Sequence, residues 1–276
     1  RKMEDFQMNT GFQSKHVVVT GASSGIGFDT TSFFLEEGAK VTACYNSDPK
    51  KLTPLAASHP ERLTIVKVDV RSESDVVFLF KEANKAFGRV DATVANAGIF
   101  IHEGMAINEM SVEQWKKTIA VNLTGVFLCA KHFFANLKKY PGNDASLVLV
   151  GSTAGEFGEA WHCDYESSKA GLRGLLMSLK NEIVHLAARG RVNLVNPGWT
   201  ITPMADEALS DQARMSRILQ TIPLRKTATP SDISHAILYL SSDKLAGHVS
   251  GQTITVAGGM EGRVLFSNDD VENNKR

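Results

Sequence analysis

The sequence contains few cysteines, and none lies in a Cys-x-x-Cys pair or another zinc-ligand spacing. Cys44, Cys129 and Cys163 lie within or beside apolar segments that are typical of a protein core. The sequence therefore predicts neither a disulfide framework nor a metal site. A reducing compartment suits this thiol content best, and we expect a cytoplasmic protein.

An excess of charge of either sign is also missing, because the 30 basic side chains are balanced by 30 acidic ones. A polycationic surface that attracts nucleic acid or an anionic membrane is therefore not expected. The longest uncharged apolar run, from Thr118 to Ala130, is shorter than the roughly 20 residues that cross a bilayer. We expect a buried helix there, and neither a membrane nor nucleic acid as a partner.

The length of 276 residues allows one large domain with a full core, and no linker-like segment divides the sequence. We expect a polar tail at residues 1–14, a single domain at 15–260 and an extension at 261–276. Residues 260–266 are expected to close over a pocket or a neighbouring subunit. A removed targeting segment is left open, because residue 1 is not Met.

Short β-branched runs alternate with longer helix-compatible segments along most of the chain. Such runs lie at residues 16–19, 40–45, 63–68, 90–95, 147–150 and 191–195, with a seventh at 252–256. They are almost continuously apolar, which predicts strands that are buried on both faces. The pattern predicts an α/β fold, a Rossmann-like doubly wound parallel sheet of about seven strands with helices on both faces in three layers.

The least regular part of the domain is residues 199–226, where Pro203 and Pro223 interrupt the alternation. Open α/β sheets build their ligand sites from loops beyond the carboxyl ends of the strands. This segment is therefore a candidate substrate lid. The alternative is a surface insertion without a ligand.

A turn rich in glycine and serine, Thr-Gly-Ala-Ser-Ser-Gly-Ile-Gly at residues 20–27, follows the first predicted strand and opens the first predicted helix. Glycines permit close backbone approach, and a helix N-terminus offers unpaired N–H groups to a pyrophosphate. The alternative is a turn that binds nothing. The turn predicts dinucleotide contacts from Gly21, Ser23, Ser24, Gly25 and Ile26.

The same motif closely resembles the cofactor motif of the short-chain dehydrogenase/reductase family, and the resemblance extends from about Lys15 to Gly259. After the third predicted strand comes an acidic residue that the family places near adenine, and after the fourth comes its Asn-Ala-Gly motif. Ala95 stands where the family usually has a preceding asparagine. A segment after the sixth strand resembles the one that holds the nicotinamide carboxamide. The resemblance implies cofactor contacts by Asp69, Val70, Asn96, Ala97, Gly98, Pro197, Gly198, Thr200 and Thr202.

The end of the second predicted strand bears on cofactor choice. NAD-preferring relatives carry an acid where this chain has Tyr45, and such an acid repels a 2'-phosphate. Without it, the following polar residues can donate to that phosphate, and Lys50 or Lys51 can approach it. NADP(H) is therefore favoured, and NAD(H) stays possible because Asp48 could bind a ribose hydroxyl. The contacts expected here are Tyr45, Asn46 and Ser47.

Tyr165 and Lys169 are four residues apart in a segment, 163–188, that is predicted to be one long helix, so both project from one face. A nearby ammonium group lowers the pKa of a phenol from its usual value of about 10. Ser152 ends the fifth predicted strand and matches the family's catalytic serine in context and spacing. Asn122 matches the asparagine of the family's four-residue active site, where it supports a water-linked proton path.

These four residues imply, by resemblance, an enzyme that transfers hydride between a nicotinamide and a ketone or secondary alcohol. We expect an NADPH-dependent carbonyl reductase in which Tyr165 is the general acid and base, Ser152 bonds the reacting oxygen, and Lys169 also holds the cofactor ribose. Two alternatives stay open. One is a nucleotide-binding sensor or scaffold without turnover, and the other is a lyase or epimerase without net redox chemistry.

Aromatic residues flank the catalytic positions, with Trp161 shortly before the tyrosine and Trp199 after the Pro-Gly pair. Together with Ser152 and Glu156 they are the candidate substrate contacts, and Phe157 and His162 are also expected to border the site. The aromatic residues favour a hydrophobic or cyclic ketone. The same aromatic residues could instead pack subunit contacts or the lid. Helices predicted at 111–139 and around Tyr165 resemble those through which family members associate, which implies a homotetramer or homodimer.

Overall fold

The computed structural model describes residues 9–49, 51–267 and 271. Its centre is one sheet of seven parallel strands in the order β3-β2-β1-β4-β5-β6-β7. The strands are β1 His16–Val19, β2 Lys40–Tyr45, β3 Leu63–Lys67, β4 Ala92–Ala95, β5 Asp144–Val150, β6 Arg189–Pro197 and β7 Thr253–Val256. The predicted doubly wound parallel sheet is therefore confirmed, and the chain changes its direction of travel across the sheet between β3 and β4.

Helices cover both faces of the sheet. They are α1 Gly25–Glu36, α2 Leu52–Ser58, α3 Glu73–Phe87, α4 Val112–Ile119, α5 Gly125–Lys139, α6 Ala154–Phe157, α7 Cys163–Glu182, α8 Asp206–Ser210, α9 Gln212–Gln220 and α10 Pro230–Ser241. Alternate strand residues enter two separate cores, because successive side chains point to opposite faces. Val18 packs in the core with Phe133 and Leu172, whereas Val17 packs in the core with Phe34 and Ile237.

Several elements differ from the predicted boundaries. Strand β4 begins at Ala92 rather than at residue 90, because the Asp91 carboxylate accepts the backbone N–H of His16 at 2.9 Å and also pairs with Arg89. The long helix predicted at 163–188 ends at Glu182 and continues as a 3₁₀ turn at Ile183–His185.

The predicted helix at 111–139 is continuous but contains a π-helical turn at Ala120–Thr124 between α4 and α5. The helical stretch Val112–Lys139 is long and apolar enough to cross a bilayer by length and composition alone. Its side chains Val126, Cys129 and Phe133 are instead buried against the sheet. The segment is packed as a core helix of the α/β fold.

The ends of the chain pack on the domain where the structure describes them. Within the predicted tail, the buried ring of Phe12 lies 4.9 Å from Phe34, and the Ser242 hydroxyl donates to the Thr10 carbonyl at 2.6 Å. Residues 1–8 of that tail lie outside the described residues, as do 268–270 and 272–276 of the predicted extension. Residues 9–14 therefore belong to the folded unit.

The buried imidazole of His16 makes stability depend on pH. Its Nε2 lies 2.9 Å from the Thr42 hydroxyl, and burial lowers the pKa of His16 from 6.5 to about 4. Between these two values the unfolded chain binds a proton that the folded chain excludes. The free energy of unfolding should therefore fall by about 3 kcal/mol as the pH falls from 6.5 to 4.

We expect a His16→Asn variant to lack this acid-dependent loss, although it is less stable at pH 7 because the imidazole contacts are gone. Urea unfolding at several pH values between 4 and 7 measures the slope. His248→Asn, which replaces an exposed imidazole, serves as the control and should keep the wild-type slope. An unchanged slope in His16→Asn would contradict the assignment.

Candidate active site

Two adjoining cavities lie beyond the carboxyl ends of the strands, at the place between β1 and β4 where the strand order reverses. The first cavity has a volume of about 430 Å³ and is bordered by the glycine-rich turn. The second has a volume of about 950 Å³ and is bordered by the catalytic candidates. The cavities share the wall residues Ile26, Asn96, Gly98, Thr202 and Met204, so they form one groove.

The glycine-rich turn is shaped to receive an anion. Ser24 is the N-cap of α1 but makes no capping hydrogen bond with its side chain, so the first N–H groups of the helix stay available. Gly21 has a φ of +64°, and a Cβ there would lie 2.8 Å from the Ala97 Cα. At Gly27 a Cβ would lie 2.3 Å from the Gly21 carbonyl oxygen. Only glycines fit this close approach, and the resulting cradle suits a dinucleotide pyrophosphate.

Asn96 ties the turn to the neighbouring strand. Its Nδ2 donates to the carbonyl oxygens of Thr20 at 2.9 Å and Gly21 at 3.2 Å. In return, the Thr20 hydroxyl accepts the backbone N–H groups of Asn96 and Ala97, each at 3.0 Å. These bonds fix the distance between the ends of β1 and β4, and so the width of the groove.

The far end of the first cavity holds an arginine that sequence reasoning missed. Arg71 lies on the wall beside Asp69 and pairs with its carboxylate at 2.6 Å. Hydrogen bonds from Arg71 lower the pKa of Asp69, so this carboxyl is charged. The position of Arg71 two residues after an acid that follows a strand was the available signal in the sequence.

The lysines that were expected to approach this end are placed differently. The Nζ of Lys51 lies 5.9 Å from the centroid of the Phe28 ring, and Lys51 does not line the cavity. Lys50 lies outside the described residues. Arg71 is therefore the arginine that lines the first cavity.

The structure brings all the cofactor residues predicted from the sequence to the groove. Those on the first cavity are Gly21, Ser23, Ser24, Gly25, Ile26, Tyr45, Asn46, Ser47, Asp69, Val70, Asn96, Ala97 and Gly98. Those on the second cavity are Tyr165, Lys169, Pro197, Gly198, Thr200 and Thr202. Their common position supports a bound dinucleotide that extends through both cavities.

Ser152 and Tyr165 face each other on the wall of the second cavity. Ser152 follows the end of β5, and Tyr165 lies in the first turn of α7. Enclosure of the phenol by the cavity walls raises the pKa of Tyr165, while a hydrogen bond with Ser152 acts in the opposite direction. The phenol is therefore protonated at neutral pH and can donate to an oxygen in the cavity.

Lys169 lies one helical turn beyond the tyrosine and is buried. Its Nζ donates to the Val150 carbonyl at 3.0 Å and lies 5.8 Å from the centroid of the Tyr165 ring. Burial lowers the pKa of Lys169 to about 8. The ammonium group is thus close to losing its proton near neutral pH, which suits a group that passes protons.

Asn122 does not line the cavity but lies directly behind it, in the π-helical turn. Its Oδ1 accepts the Ile99 N–H at 2.8 Å, and its Nδ2 donates to the Ile99 carbonyl at 2.9 Å. A Cβ on Gly98 would lie 3.3 Å from both the Asn122 Oδ1 and the Lys169 Nζ. Asn122 therefore positions the strand end that covers the lysine.

Aromatic side chains surround Tyr165. The Phe100 ring lies 5.0 Å from the Tyr165 ring and 4.6 Å from the His162 ring, measured between centroids. Trp161 and Trp199 line the same cavity, as the sequence predicted. His162 also lines this cavity, as expected from its place between Ser152 and Tyr165. Phe100 was not predicted, because no motif marks it and a loop brings it in.

Glu156 does not reach the cavity, contrary to the expectation of a substrate contact. Its carboxylate accepts the Asn196 amide at 2.8 Å and the Thr255 hydroxyl at 3.1 Å. The short helix α6 turns Glu156 towards β6 and β7, and it presents the neighbouring Phe157 to the cavity instead. Glu156 is a structural residue.

Residues 199–226, the candidate lid, form part of the cavity wall. Helices α8 and α9 belong to this segment, and its wall residues include Ala208, Arg214, Arg217 and Ile218. The chain after β7 then crosses the end of α9, where the Leu265 N–H donates to the Gln220 carbonyl at 2.8 Å. Across the described ranges, no group of three or more His, Cys, Asp or Glu side chains could hold a metal ion.

Comparisons with known proteins agree with this geometry. A family model described as enoyl-(acyl carrier protein) reductase matches residues 21–261. The chain is 33% identical over 255 residues to cis-4-hydroxycyclohexanecarboxylate dehydrogenase from Sinomonas cyclohexanicum, covering 91% of this chain and 98% of that protein. It is 34% identical over 251 residues to 3-oxoacyl-(acyl-carrier-protein) reductase FabG from Thermotoga maritima, covering 90% and 98%.

A solved structure shows the same architecture. The crystal structure of a short-chain dehydrogenase/reductase, a glucose/ribitol dehydrogenase from Brucella melitensis, superposes with a TM-score of 0.83 at 34% sequence identity. The match covers 92% of this chain and 99% of that one.

The buried lysine should lower the stability of the cofactor-free protein. The pKa of Lys169 is about 8 in the fold against 10.5 unfolded, so below pH 8 the buried amine costs about 3 kcal/mol. A Lys169→Met variant removes this cost and loses about 1 kcal/mol with the hydrogen bond to Val150. We expect it to be more stable than wild type by about 2 kcal/mol at pH 7.

This gain in stability should shrink as the pH rises from 8 to 10.5. In this range the folded wild type has released the proton that its unfolded chain still holds, so rising pH stabilises the folded wild type. Thermal unfolding followed by circular dichroism at pH 7 to 10 measures the difference. Lys85→Met, at an exposed helix position, is the control and should show no such trend. A Lys169→Met variant that is less stable at every pH by the same amount would refute the lowered pKa.

Proposed function

The chain belongs to the short-chain dehydrogenase/reductase family and is an NAD(P)-dependent oxidoreductase, and we propose that it is an NADPH-dependent carbonyl reductase. One observation carries the proposal. Ser152, Tyr165 and Lys169 meet on the wall of a cavity that continues into the glycine-rich cradle. A ketone or secondary alcohol that enters this cavity lies between the acid–base group and the expected cofactor.

When bound, the nicotinamide supplies the hydride for reduction or accepts it in oxidation. Tyr165 donates its proton to the carbonyl oxygen in reduction and withdraws it from the alcohol in oxidation. The raised pKa of Tyr165 favours the protonated form, which is the form that reduction needs. Ser152 donates a second hydrogen bond to the same oxygen and stabilises the negative charge that develops there.

Lys169 replaces the proton that Tyr165 gives up. Its lowered pKa makes proton release inexpensive near neutral pH, and its side chain also lies where it can hold the cofactor ribose. Asn122 supports this step by fixing Ile99 and the neighbouring Gly98 over the lysine. We infer that these groups form the proton path from the tyrosine to solvent.

NADP(H) is the preferred cofactor in this proposal. At the end of β2 the cavity wall carries Tyr45 and no carboxylate. Arg71 lies on the same wall. A guanidinium group binds phosphate in a bidentate manner. Arg71 can therefore contact the 2'-phosphate through the donors that Asp69 leaves free.

The aromatic wall favours a small hydrophobic or cyclic ketone as substrate. Phe100, Phe157, Trp161 and Trp199 surround the space above Tyr165. A cyclohexane-ring acid is named for one relative and an oxoacyl group for another, so both classes belong in a test panel.

The protein is proposed to act as a homotetramer or homodimer in the cytoplasm. Trp115, Phe127 and Met177 leave apolar surface exposed on α4, α5 and α7, which suits association through these helices. Cys44 and Cys129 are free and buried, as expected for a reducing compartment.

The first test concerns the catalytic acid. Purified protein should oxidise NADPH in the presence of a suitable ketone from a panel of cyclic, aryl and oxoacyl ketones. Tyr165→Phe should lower kcat by at least about 100-fold, because it removes the proton donor and leaves the ring packing intact. Fluorescence titration should show that the variant still binds NADPH.

The control for this test is Tyr140→Phe, a change outside the cavity, which should keep wild-type turnover. Binding of NADPH without turnover of any ketone would favour the sensor or scaffold function. Conversion of a substrate without net oxidation of the cofactor would favour a lyase or epimerase.

The second test concerns cofactor choice. Arg71→Gln should raise the Kd of NADPH about 10-fold and leave that of NADH within about twofold, because a charge-assisted hydrogen bond contributes about 1.4 kcal/mol. Lys67→Gln, which removes an exposed cation of β3 outside the cavity, is the matched control. Equal weakening of both cofactors by Arg71→Gln would place Arg71 in general support of Asp69 instead.

A further inference from the structure

Two arginines of helix α9 face the second cavity. Arg214 and Arg217 are three residues apart, and both lie on its wall. Neither belongs to the groups that carry out hydride or proton transfer in the proposed function. A neutral ketone offers these two cations no opposite charge, so the groups that pair with each arginine indicate whether the cavity can accept an anion.

Arg214 is already occupied by protein groups. Its NH2 lies 3.5 Å from a carboxylate oxygen of Glu159, and its guanidinium carbon lies 5.7 Å from the centroid of the Trp199 ring. The pair with Glu159 joins the lid helix to the loop that precedes Tyr165. The charge of Arg214 is therefore balanced before any ligand enters.

The charge of Arg217 is not paired with a carboxylate in this way. Over residues 9–49, 51–267 and 271, no hydrogen bond, ion pair or ring contact involves its side chain. The other carboxylate on the cavity wall, that of Asp211, is used as the N-cap of α9, where it accepts the N–H groups of Ala213 at 2.9 Å and Arg214 at 3.1 Å. The wall thus presents one guanidinium fork without an anion.

We propose that the substrate of this enzyme is an oxo acid or hydroxy acid whose carboxylate binds Arg217. The proposal rests on the proposed reductase function and names its substrate class. The carbon frame of the substrate lies against Trp161 and Trp199, and its carbonyl or hydroxyl group meets Tyr165. A carboxylate matches the planar donors of arginine in a bidentate manner, which fixes the orientation of the substrate.

The volume of the cavity is consistent with such a substrate. About 950 Å³ holds the nicotinamide end of a cofactor and leaves room for a ring with a substituent. Because Arg217 lies on α9 and Tyr165 lies on α7, the carboxylate and the reacting carbon are bound by separate elements. Binding energy from the remote carboxylate can therefore orient the reacting carbon.

The experiment compares a charged ketone with its neutral isostere. The probes are 4-oxocyclohexanecarboxylate and 4-oxocyclohexanecarboxamide, each reduced with NADPH. Wild type should favour the carboxylate in kcat/KM by at least about 10-fold. Arg217→Gln should lower kcat/KM for the carboxylate about 10- to 100-fold and leave the amide within about twofold, because only the charged hydrogen bonds are lost.

Two further variants separate charge from structure. Arg217→Lys keeps the charge and should restore part of the preference for the carboxylate. Arg173→Gln removes an exposed arginine of α7 that lies outside the cavity, and it should change neither substrate. Because the Arg217 side chain is exposed and makes no hydrogen bond or ion pair within the described residues, its removal should not lower the melting temperature.

A binding measurement tests the carboxylate site without turnover. Isothermal titration of the NADP⁺-loaded protein with cyclohexanecarboxylate should show a Kd that rises about 10- to 100-fold in Arg217→Gln. Cyclohexanecarboxamide should bind equally to both proteins. If this dependence is found while no ketone is reduced, the anion site stands and the proposed reductase function fails.

The opposite outcomes overturn the inference. If neutral ketones are reduced in a Tyr165-dependent manner and the carboxylate has no advantage, the reductase function stands and Arg217 is not a substrate ligand. If cyclohexanecarboxylate does not bind, or binds equally to wild type and Arg217→Gln, the carboxylate site is likewise excluded.

Discussion

The burial of one lysine at the carboxyl edge of the sheet determines much of the surrounding structure. Lys169 is buried, and its Nζ donates a hydrogen bond to the backbone carbonyl of Val150. An amine in such a place is costly when charged, so its pKa falls to about 8. In the proposed function, the fold keeps this destabilising group because its lowered pKa suits proton transfer.

The elements next to the lysine follow from this constraint. Gly98 leaves little room for a side chain, since a Cβ there would lie 3.3 Å from both the Lys169 Nζ and the Asn122 Oδ1. Asn122 must reach inward to clamp Ile99, and the π-helical turn gives it the necessary direction within an otherwise regular helix. The π-helical turn and Gly98 therefore both contribute to the packing around Lys169.

Sequence reasoning predicted the sheet well because its signal is local. Strands that are buried on both faces must be apolar at every position, and β1 and β2 were found at the predicted residues. The cofactor cradle could also be predicted from the sequence, since Gly21 and Gly27 are required by the close approach of backbone segments in the turn.

What the sequence could not predict depends on tertiary placement. Glu156 and Phe157 are neighbours, yet only Phe157 faces the cavity, because the direction of a one-turn helix is set by what packs beneath it. The same limit hid Arg71, whose role depends on the fold of the loop after β3. Arg217 was hidden as well, because a polar helix in a candidate lid gives no sign of which face turns inward.

The cavity thus has walls of two physical kinds. One wall is built on β5 and α7, where Val150 belongs to the core and the buried Lys169 is hydrogen-bonded to its carbonyl. The other wall is built on α9, which is fastened by partly exposed contacts such as that between Arg214 and Glu159. Contacts of this kind contribute little stability, so residues on α9 can change without disturbing the sheet. In the proposed function, the first wall carries the groups for proton transfer, whereas α9 carries Arg217, which binds the carboxylate of the substrate.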